Sequence, residues 1–564
     1  MSRREGRACV VRLSAHAAYP WSSEARVGGW SGFARGYAWR GTRHYSSIEL
    51  ASEAASRASS GEAVDFVSEL NGAFCMVATR SGAAFAAVDR VRSLPLFYGA
   101  SGDTLVVADD PLAVLPETRP LSFAEDSMVE FLRCGYALGN RTLLAGVSQL
   151  QAGQYLVQSA EEFHVARFYY QHLHEPWTNH SREDALDWLA SVSSRAFDRF
   201  IDQLDGRTCI VPLSGGYDSR FIVAMLRRAG YEDVVCYTYG ARNSQEVTPA
   251  RLTAERLGYP WHYVRYDAAT WRGLWESRDV AAYLTSCGAY AALPHIQEYP
   301  AVLWLTEHDL LPESAVFAPG FCGDLLGGSY VPELPIPNQD SALLEAGIAR
   351  YVYESHTVLK TRLSSDLERR LQRRVAETLQ EYPQPATFEE FVSVNEAWFT
   401  AHKVARFVVN SLRVYEHFGY EWLMPLWDSE LAEAWYRVPL QLRVGSRLYE
   451  NLLFTWLFRP LDIAFEKPRQ LHDRWPASTV QAVLPGQWYS HLRSRYGVIK
   501  MRLRPPNPNA FMELADLTRA YGRARGLRIP WSSDINQVIA PVILARMCDE
   551  VGSGTEFTRL YRGA

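Results

Sequence analysis

The run Thr208-Cys209-Ile210-Val211-Pro212-Leu213-Ser214-Gly215-Gly216-Tyr217-Asp218-Ser219-Arg220 takes an apolar stretch into a Gly-rich turn and then directly into Phe221-Ile222-Val223-Ala224-Met225-Leu226. Thr208 to Val211 predicts a short strand, and Arg220 to Leu226 predicts an amphipathic helix. A strand–turn–helix of this kind aims backbone N–H groups and a helix N-terminus at an anion. Gly215 and Gly216 allow close approach to a phosphate, and Ser214 and Ser219 add hydroxyl donors. Asp218 is repulsive beside phosphate unless a hard cation such as Mg²⁺ lies between them. The loop has no Lys, which excludes the GxxxxGK[ST] phosphate loop.

Outward from this loop, the chain alternates apolar strands with amphipathic helices over residues 205–470, the pattern of a parallel α/β sheet. Val234 to Gly240 reads as the second strand, Glu246 to Leu257 as its helix, and Trp261 to Val264 as the third strand. Residues 1–170 are β-rich, with runs such as Ala73 to Ala78 and Ala84 to Val88 separated by Ser81-Gly82. Between the two lies a linker, 171–204. Glu175-Pro176 is its turn signal, and Ser181-Arg182-Glu183-Asp184 reads as a capping box. Leu189, Val192, Ala196 and Phe200 then fall at helical spacing. Residues 471–564 read as a helical C-terminal extension, with a Pro-rich turn at 505–508 and a helix from Ile539 to Val551.

At 564 residues with 48% hydrophobic and 21% charged content, the composition is that of a multidomain globular protein. A net charge of -5 gives no case for nucleic acid. The 8 Cys form no CxxC pair, so neither zinc nor a disulfide framework is indicated, and a reducing cytoplasm is the expected setting. No apolar run reaches the ~18 residues of a membrane span, and the Arg-rich start leads into no signal core.

Ser214-Gly215-Gly216-Tyr217-Asp218-Ser219 resembles the SGGxDS loop of the ATP pyrophosphatases, specifically of asparagine synthetase-like enzymes. The resemblance runs from about residue 60 to about 470. It implies that this loop holds the pyrophosphate of ATP while a substrate carboxylate attacks the α-phosphorus. Tyr237 and Thr238, on the second strand, become the adenine-side candidates. Ala318-Pro319-Gly320-Phe321-Cys322-Gly323-Asp324-Leu325-Leu326-Gly327-Gly328 resembles the family's second acidic loop. Gly320 there joins the ATP site, and Asp324 joins Asp218 on Mg²⁺. Phe321 and Leu325 stand where asparagine synthetases have Glu, which points to a different substrate or nucleophile. Tyr420-Glu421-Trp422-Leu423-Met424-Pro425-Leu426-Trp427-Asp428 resembles the E-x-R-x-P-f-L-D segment, with Leu423 in the Arg place, and makes Glu421 a catalytic candidate. Lys467 and Arg469 fall in the family's cationic loop and are the candidates for stabilising the adenylation transition state, where negative charge builds up.

Leu70-Asn71-Gly72-Ala73-Phe74, Asp89-Arg90 and Leu94-Pro95-Leu96-Phe97-Tyr98 resemble the family's glutaminase domain. The implied fold is an α+β N-terminal-nucleophile domain of sandwiched antiparallel sheets, followed by the α/β parallel-sheet synthetase domain and its helical C-terminal part. Glutaminase chemistry needs an N-terminal Cys whose own amine is the base. Here position 2 is Ser2 and the first cysteine, Cys9, is internal, so the domain is expected to lack the activity. The implied reaction is an ATP- and Mg²⁺-dependent ligation of a small-molecule or peptide carboxylate to ammonia or an amine. Ammonia would arrive free or from a separate supplying subunit. Gly419 to Trp422, Val438-Pro439-Leu440 and Leu448-Tyr449 resemble amidotransferase homologues that amidate a sugar uronate in surface-polysaccharide pathways. Lasso-peptide cyclases and β-lactam synthetases are the alternative on the same scaffold, and a non-catalytic nucleotide-binding scaffold is the third reading.

Overall fold

The structure is a computed structural model. It describes residues 8–466 except 102–103, 117–120, 160–161, 171–180, 243, 332–343, 345–346 and 360, and beyond them 509–527, 529, 534–550, 557 and 561. The Glu175-Pro176 and 505–508 turns lie outside the described residues, as does Ser2.

Two facing sheets build the N-terminal domain. The seven-stranded sheet is antiparallel throughout, in the order Phe163–Arg167, Gln154–Gln158, Ala83–Val88, Asn71–Arg80, Trp30–Arg40, Ala25–Val27, with Arg43–Tyr45 also paired to Trp30–Arg40. The four-stranded sheet runs Ala8–Arg12, Thr104–Ala108, Phe97–Ser101, Ser148–Gln149. Its outer strand, Ala8–Arg12, pairs parallel to Thr104–Ala108, an exception to the expected antiparallel pairing. Period-two alternation decides which core each side chain joins. Phe74, Met76 and Ala78 pack under the helix Ser47–Ser60, whereas Cys75 and Val77 face Phe97, Leu105 and Val107 of the other sheet.

The linker helix, Arg182–Leu204, starts at the expected capping box. Ser181 Oγ accepts from the Asp184 N–H, and Asp184 Oδ2 accepts from the Ser181 N–H. Leu189, Val192, Ala196 and Phe200 are all buried on its inner face.

The second domain is a five-stranded parallel sheet in the order Trp261–Arg265, Val234–Gly240, Cys209–Pro212, Val316–Phe317, Glu421–Trp422. Cys209–Pro212 is central. The next two strands in sequence are added on one side of it and the last two on the other. This reversal of direction makes a crevice at the carboxyl ends of Cys209–Pro212 and Val316–Phe317, where open α/β sheets take their ligands. The C-terminal segment contributes the helices Phe511–Ala524 and Ile535–Glu550. No described helix is long and apolar enough to cross a membrane.

Beneath the crevice, Arg443 and Glu396 form a fully buried two-pronged ion pair, Nη2 to Oε1 at 2.7 Å and Nη1 to Oε2 at 3.1 Å. The Arg443 carbonyl supports the Gly328 backbone, where a Cβ would come within 2.4 Å of it. Removing one partner strands the other charge in the interior, so Arg443→Ala should cost about 3–5 kcal/mol. The double replacement Arg443→Met with Glu396→Met should cost clearly less. Urea unfolding of the two variants checks both statements.

Candidate active site

Strand Cys209–Pro212 ends where the turn begins, and the helix Tyr217–Arg228 starts immediately behind Gly216, its N-cap. The turn is fixed by its own side chains. Ser219 Oγ accepts from the Ser214 N–H at 3.0 Å, and Ser214 Oγ accepts from the Gly216 N–H at 3.1 Å. Gly215 is held on both faces of its peptide units. Its N–H donates to Glu246 Oε2 at 2.6 Å, and its carbonyl accepts from Arg220 Nη2 at 3.1 Å. The Tyr217 ring is buried against Phe454 and Phe458, which leaves its backbone as the part that faces the turn.

The second loop closes directly onto this turn. A Cβ at Gly320 would lie 2.6 Å from the Ser219 nitrogen and 3.0 Å from the Asp218 carbonyl carbon. A Cβ at Gly323 would lie 2.4 Å from the Tyr449 hydroxyl and 2.9 Å from Asp218 Oδ1. Only glycine allows these approaches. Cys322, between them, takes a left-handed φ of 72°. Tyr449 donates to Asp218 Oδ1 at 2.9 Å, orienting a carboxylate that is still partly open to solvent. Asp324 follows Gly323 on the short helix Gly323–Gly327, so its backbone stands beside Asp218.

The structure thus brings Ser214, Gly215, Gly216, Tyr217, Asp218, Ser219, Gly320 and the backbone of Asp324 to one crevice. Other candidates are placed differently. The Tyr237 phenol is buried and donates to Glu298. Thr238 Oγ1 donates to the Leu213 carbonyl at 2.6 Å and accepts from Trp261 Nε1 at 2.9 Å. Both side chains are therefore committed to the interior, leaving only main chain for a base.

Glu421 is not brought to the site. Register places it level with Val316 and Cys209, at the amino edge of the sheet, five residues and roughly 16 Å from Ser214 along the strand direction. There it pairs with Arg207 at 2.7 Å, and Arg207 also caps the carbonyls of Gln203 and Leu204. Glu421 is a structural residue, which corrects its reading as catalytic. Leu325 is buried in the core and Phe321 packs against it, so neither offers a polar group to the crevice. Lys467 and Arg469 lie outside the described residues. The chain leading to them is anchored, since Arg220 Nη1 donates to the carbonyls of Ile463 and Phe465.

Three residues that sequence reading missed hold this arrangement: Arg220, Glu246 and Tyr449. Arg220 is fully buried, and burial lowers its guanidinium to about 10. Its place directly after Ser219 was the available signal. Glu246 and Tyr449 fall in stretches quoted from the sequence, but their contacts with the turn were not legible there, because their partners lie 31 and 231 residues away.

Residues 52–170 match the glutamine amidotransferase domain family, and residues 204–453 match the asparagine synthase family. Together, and in this order, the two matches are consistent with an asparagine synthetase-like family. The second supports an ATP-dependent amide-forming ligase of the asparagine synthetase type. No curated protein matches the chain significantly. Among solved structures, a glutamine phosphoribosylpyrophosphate amidotransferase from B. subtilis, complexed with ADP and GMP, is similar at 12% identity with a TM-score of 0.19. That likeness covers 53% of this chain and 63% of the other, so less than two thirds of that protein is spanned.

Two outcomes follow from the geometry. Gly320→Ala forces the Ser219 backbone to move, and displacements of about 1 Å cost up to about a hundredfold in rate. Mg-ATP titrated by calorimetry should bind this variant much more weakly than the native chain. The second concerns Glu298, which burial raises from 4.5 to about 7 against the hydrogen bonds from Tyr237 and Tyr415. The folded chain keeps a proton that the unfolded chain releases above about 4.5. Its stabilisation is full below that pH and is lost as pH rises through about 7. Urea melts of Glu298→Gln between pH 5 and 7.5 should lack this component of the slope.

Proposed function

We propose that the chain adenylates a substrate carboxylate with ATP, releasing pyrophosphate, and passes the acyl group to ammonia or an amine, releasing AMP. The observation that carries this reading is the close approach of Gly320 and Gly323 to Ser219 and Asp218. It puts two chain segments around one carboxylate at the N-terminus of a helix, in the crevice where the sheet reverses its strand order. The Ser214–Ser219 turn would cradle the pyrophosphate portion of ATP. The carboxylate oxygen attacks the α-phosphorus and the bond to the β-phosphate oxygen breaks. The nitrogen then attacks the acyl carbon and the bond to AMP breaks.

A Mg²⁺ ion fits this site. Asp218 is partly open and aligned by Tyr449, and Mg²⁺ is commonly held by one or two carboxylates plus substrate phosphates rather than by a protein cage. Asp218 and Asp324 would hold it, and bound there it neutralises phosphate charge. Among the described residues no larger cluster of metal-ligating side chains occurs. Arg220 anchors the Phe465 carbonyl two residues before Lys467. This supports Lys467, with Arg469 as second choice, as the cation that meets the charge of the transition state.

The N-terminal domain would not supply ammonia from glutamine. Burial pushes the Cys9 thiol up to about 11, so almost no thiolate exists near neutral pH. Cys9 also sits inside the strand Ala8–Arg12 without an α-amine of its own. Free ammonia, an amine, or a separate ammonia-supplying subunit would provide the nucleophile. The resemblance to enzymes of surface-polysaccharide pathways makes a sugar uronate the substrate we favour, with the reaction running in the cytoplasm.

ATP–pyrophosphate exchange with Mg²⁺ and a panel of aspartate, a nucleotide-linked uronate and a short acidic peptide tests the proposal. Exchange is expected with the uronate. It should vanish in Asp218→Ala, and ammonia but not glutamine should support turnover. Exchange with the peptide alone would favour an intramolecular cyclase instead. No exchange together with no Mg-ATP binding would leave a non-catalytic scaffold.

A further inference from the structure

We infer that Glu246 is a positioning residue for the nucleotide site: its carboxylate holds the Gly215 amide and thereby sets the turn that receives the pyrophosphate portion of ATP. The inference rests on the function proposed above and extends it to a residue to which sequence reading gave no role at the site.

Glu246 stands at the start of the helix Val247–Leu257, which follows the strand Val234–Gly240. Its helix and the helix Tyr217–Arg228 therefore both begin at the carboxyl edge of the sheet, side by side. From there Glu246 Oε2 accepts from the Gly215 N–H at 2.6 Å, a short, charge-assisted bond. The carbonyl of the same glycine accepts from Arg220, and the negative charge of Glu246 also helps hold that guanidinium in its charged form. Gly215 is thus clamped between an anion on its N–H and a cation on its C=O. Arg220 extends the clamp to Ile463 and Phe465, which lead into the segment carrying Lys467. One chain of contacts ties three separate parts of the sequence to the first glycine of the turn.

A carboxylate beside a phosphate site could do one of two opposite things. It could occupy the place of the phosphate, so that ATP must displace it. Alternatively it could hold the turn open for the phosphate. The hydrogen-bond pattern favours the second. Gly215 lies ahead of the N-cap Gly216, whereas the amides at the start of a helix are those of the residues after the cap. Glu246 therefore satisfies an amide behind the anion cradle, just as Ser214 and Ser219 satisfy those of Gly216 and Ser214. Without its acceptor, a peptide of two successive glycines has many alternative conformations to explore.

The test uses the full chain with Mg-ATP and, separately, Mg-pyrophosphate as calorimetric probes, which avoids any need to know the acyl substrate. Glu246→Ala removes the acceptor and should weaken both probes by about tenfold or more, the effect of losing a charge-assisted hydrogen bond. Glu246→Gln keeps an oxygen for the Gly215 N–H and should recover binding to within about threefold. Glu246→Met, similar in size and without an acceptor, should behave as Glu246→Ala and replaces it if alanine unfolds the chain. Equal or tighter binding in Glu246→Ala or Glu246→Met would overturn the inference and make Glu246 a group that ATP displaces. A native chain that binds neither probe would instead overturn the proposed function on which the inference stands.

Discussion

Gly320 and Gly323 approach Asp218 and Ser219 more closely than any Cβ would permit. Much of the carboxyl edge of the parallel sheet is arranged around that approach. Tyr449 comes in over Gly323 and Gly327 and reaches Asp218. Arg443, held by Glu396 in the interior, supports the last glycine of the same loop through its carbonyl. The four glycines 320, 323, 327 and 328 thus work as a contact surface: three face side chains or backbone of the helical part, and one faces the turn after the central strand. A buried ion pair is a costly way to support a loop, since desolvation offsets much of its attraction. What it provides here is a fixed direction for the Arg443 backbone.

The N-terminal domain shares the main hydrophobic core with the synthetase domain. Cys75, Val77 and Phe97 belong to the same continuous cluster as Ile210, Tyr237 and Phe317 of the parallel sheet. Polar contacts reinforce the seam. Asp428 accepts from Asn71 of the N-terminal domain at 2.8 Å and takes a two-pronged contact from Arg199 of the linker helix. Arg413 donates to the Ser93 carbonyl at 2.7 Å. The N-terminal domain therefore has a structural role whatever its chemistry, because its sheets complete the core of its neighbour.

What the sequence made legible was local. The strand–turn–helix at 209–228, the capping box at Ser181 and the alternation of Asn71–Arg80 depend on neighbours in the chain, and composition and spacing expose them. The second loop was found through resemblance, and the structure adds why its glycines are needed. Glu421 was misread because its motif says nothing about strand direction. A two-residue strand at the amino edge of the sheet puts it with Arg207, far from the turn, and only the register reveals this. Phe321 and Leu325 were read as pointing to a different substrate or nucleophile, because the family has acidic groups in their places. As apolar side chains they follow the hydrophobic effect into the core instead.

Arg220 shows why the turn and the segment after Phe458 must be considered together. A guanidinium with no exposed surface needs acceptors in the interior, and three carbonyls, from Gly215, Ile463 and Phe465, supply them to its two terminal nitrogens, while Nε has no partner among the described residues. Phe458 and Phe465 pack within cation–π distance of it. Because two of those carbonyls lie beyond residue 460, the shape of the turn at 214–219 depends on chain that folds nearly 250 residues later. A change near Ile463 would release donors of Arg220 and loosen Gly215 from its carbonyl side, as loss of Glu246 would from its amide side. The nucleotide turn is in this sense held by two long-range contacts of opposite charge, and its local sequence, though diagnostic, does not by itself fix its geometry.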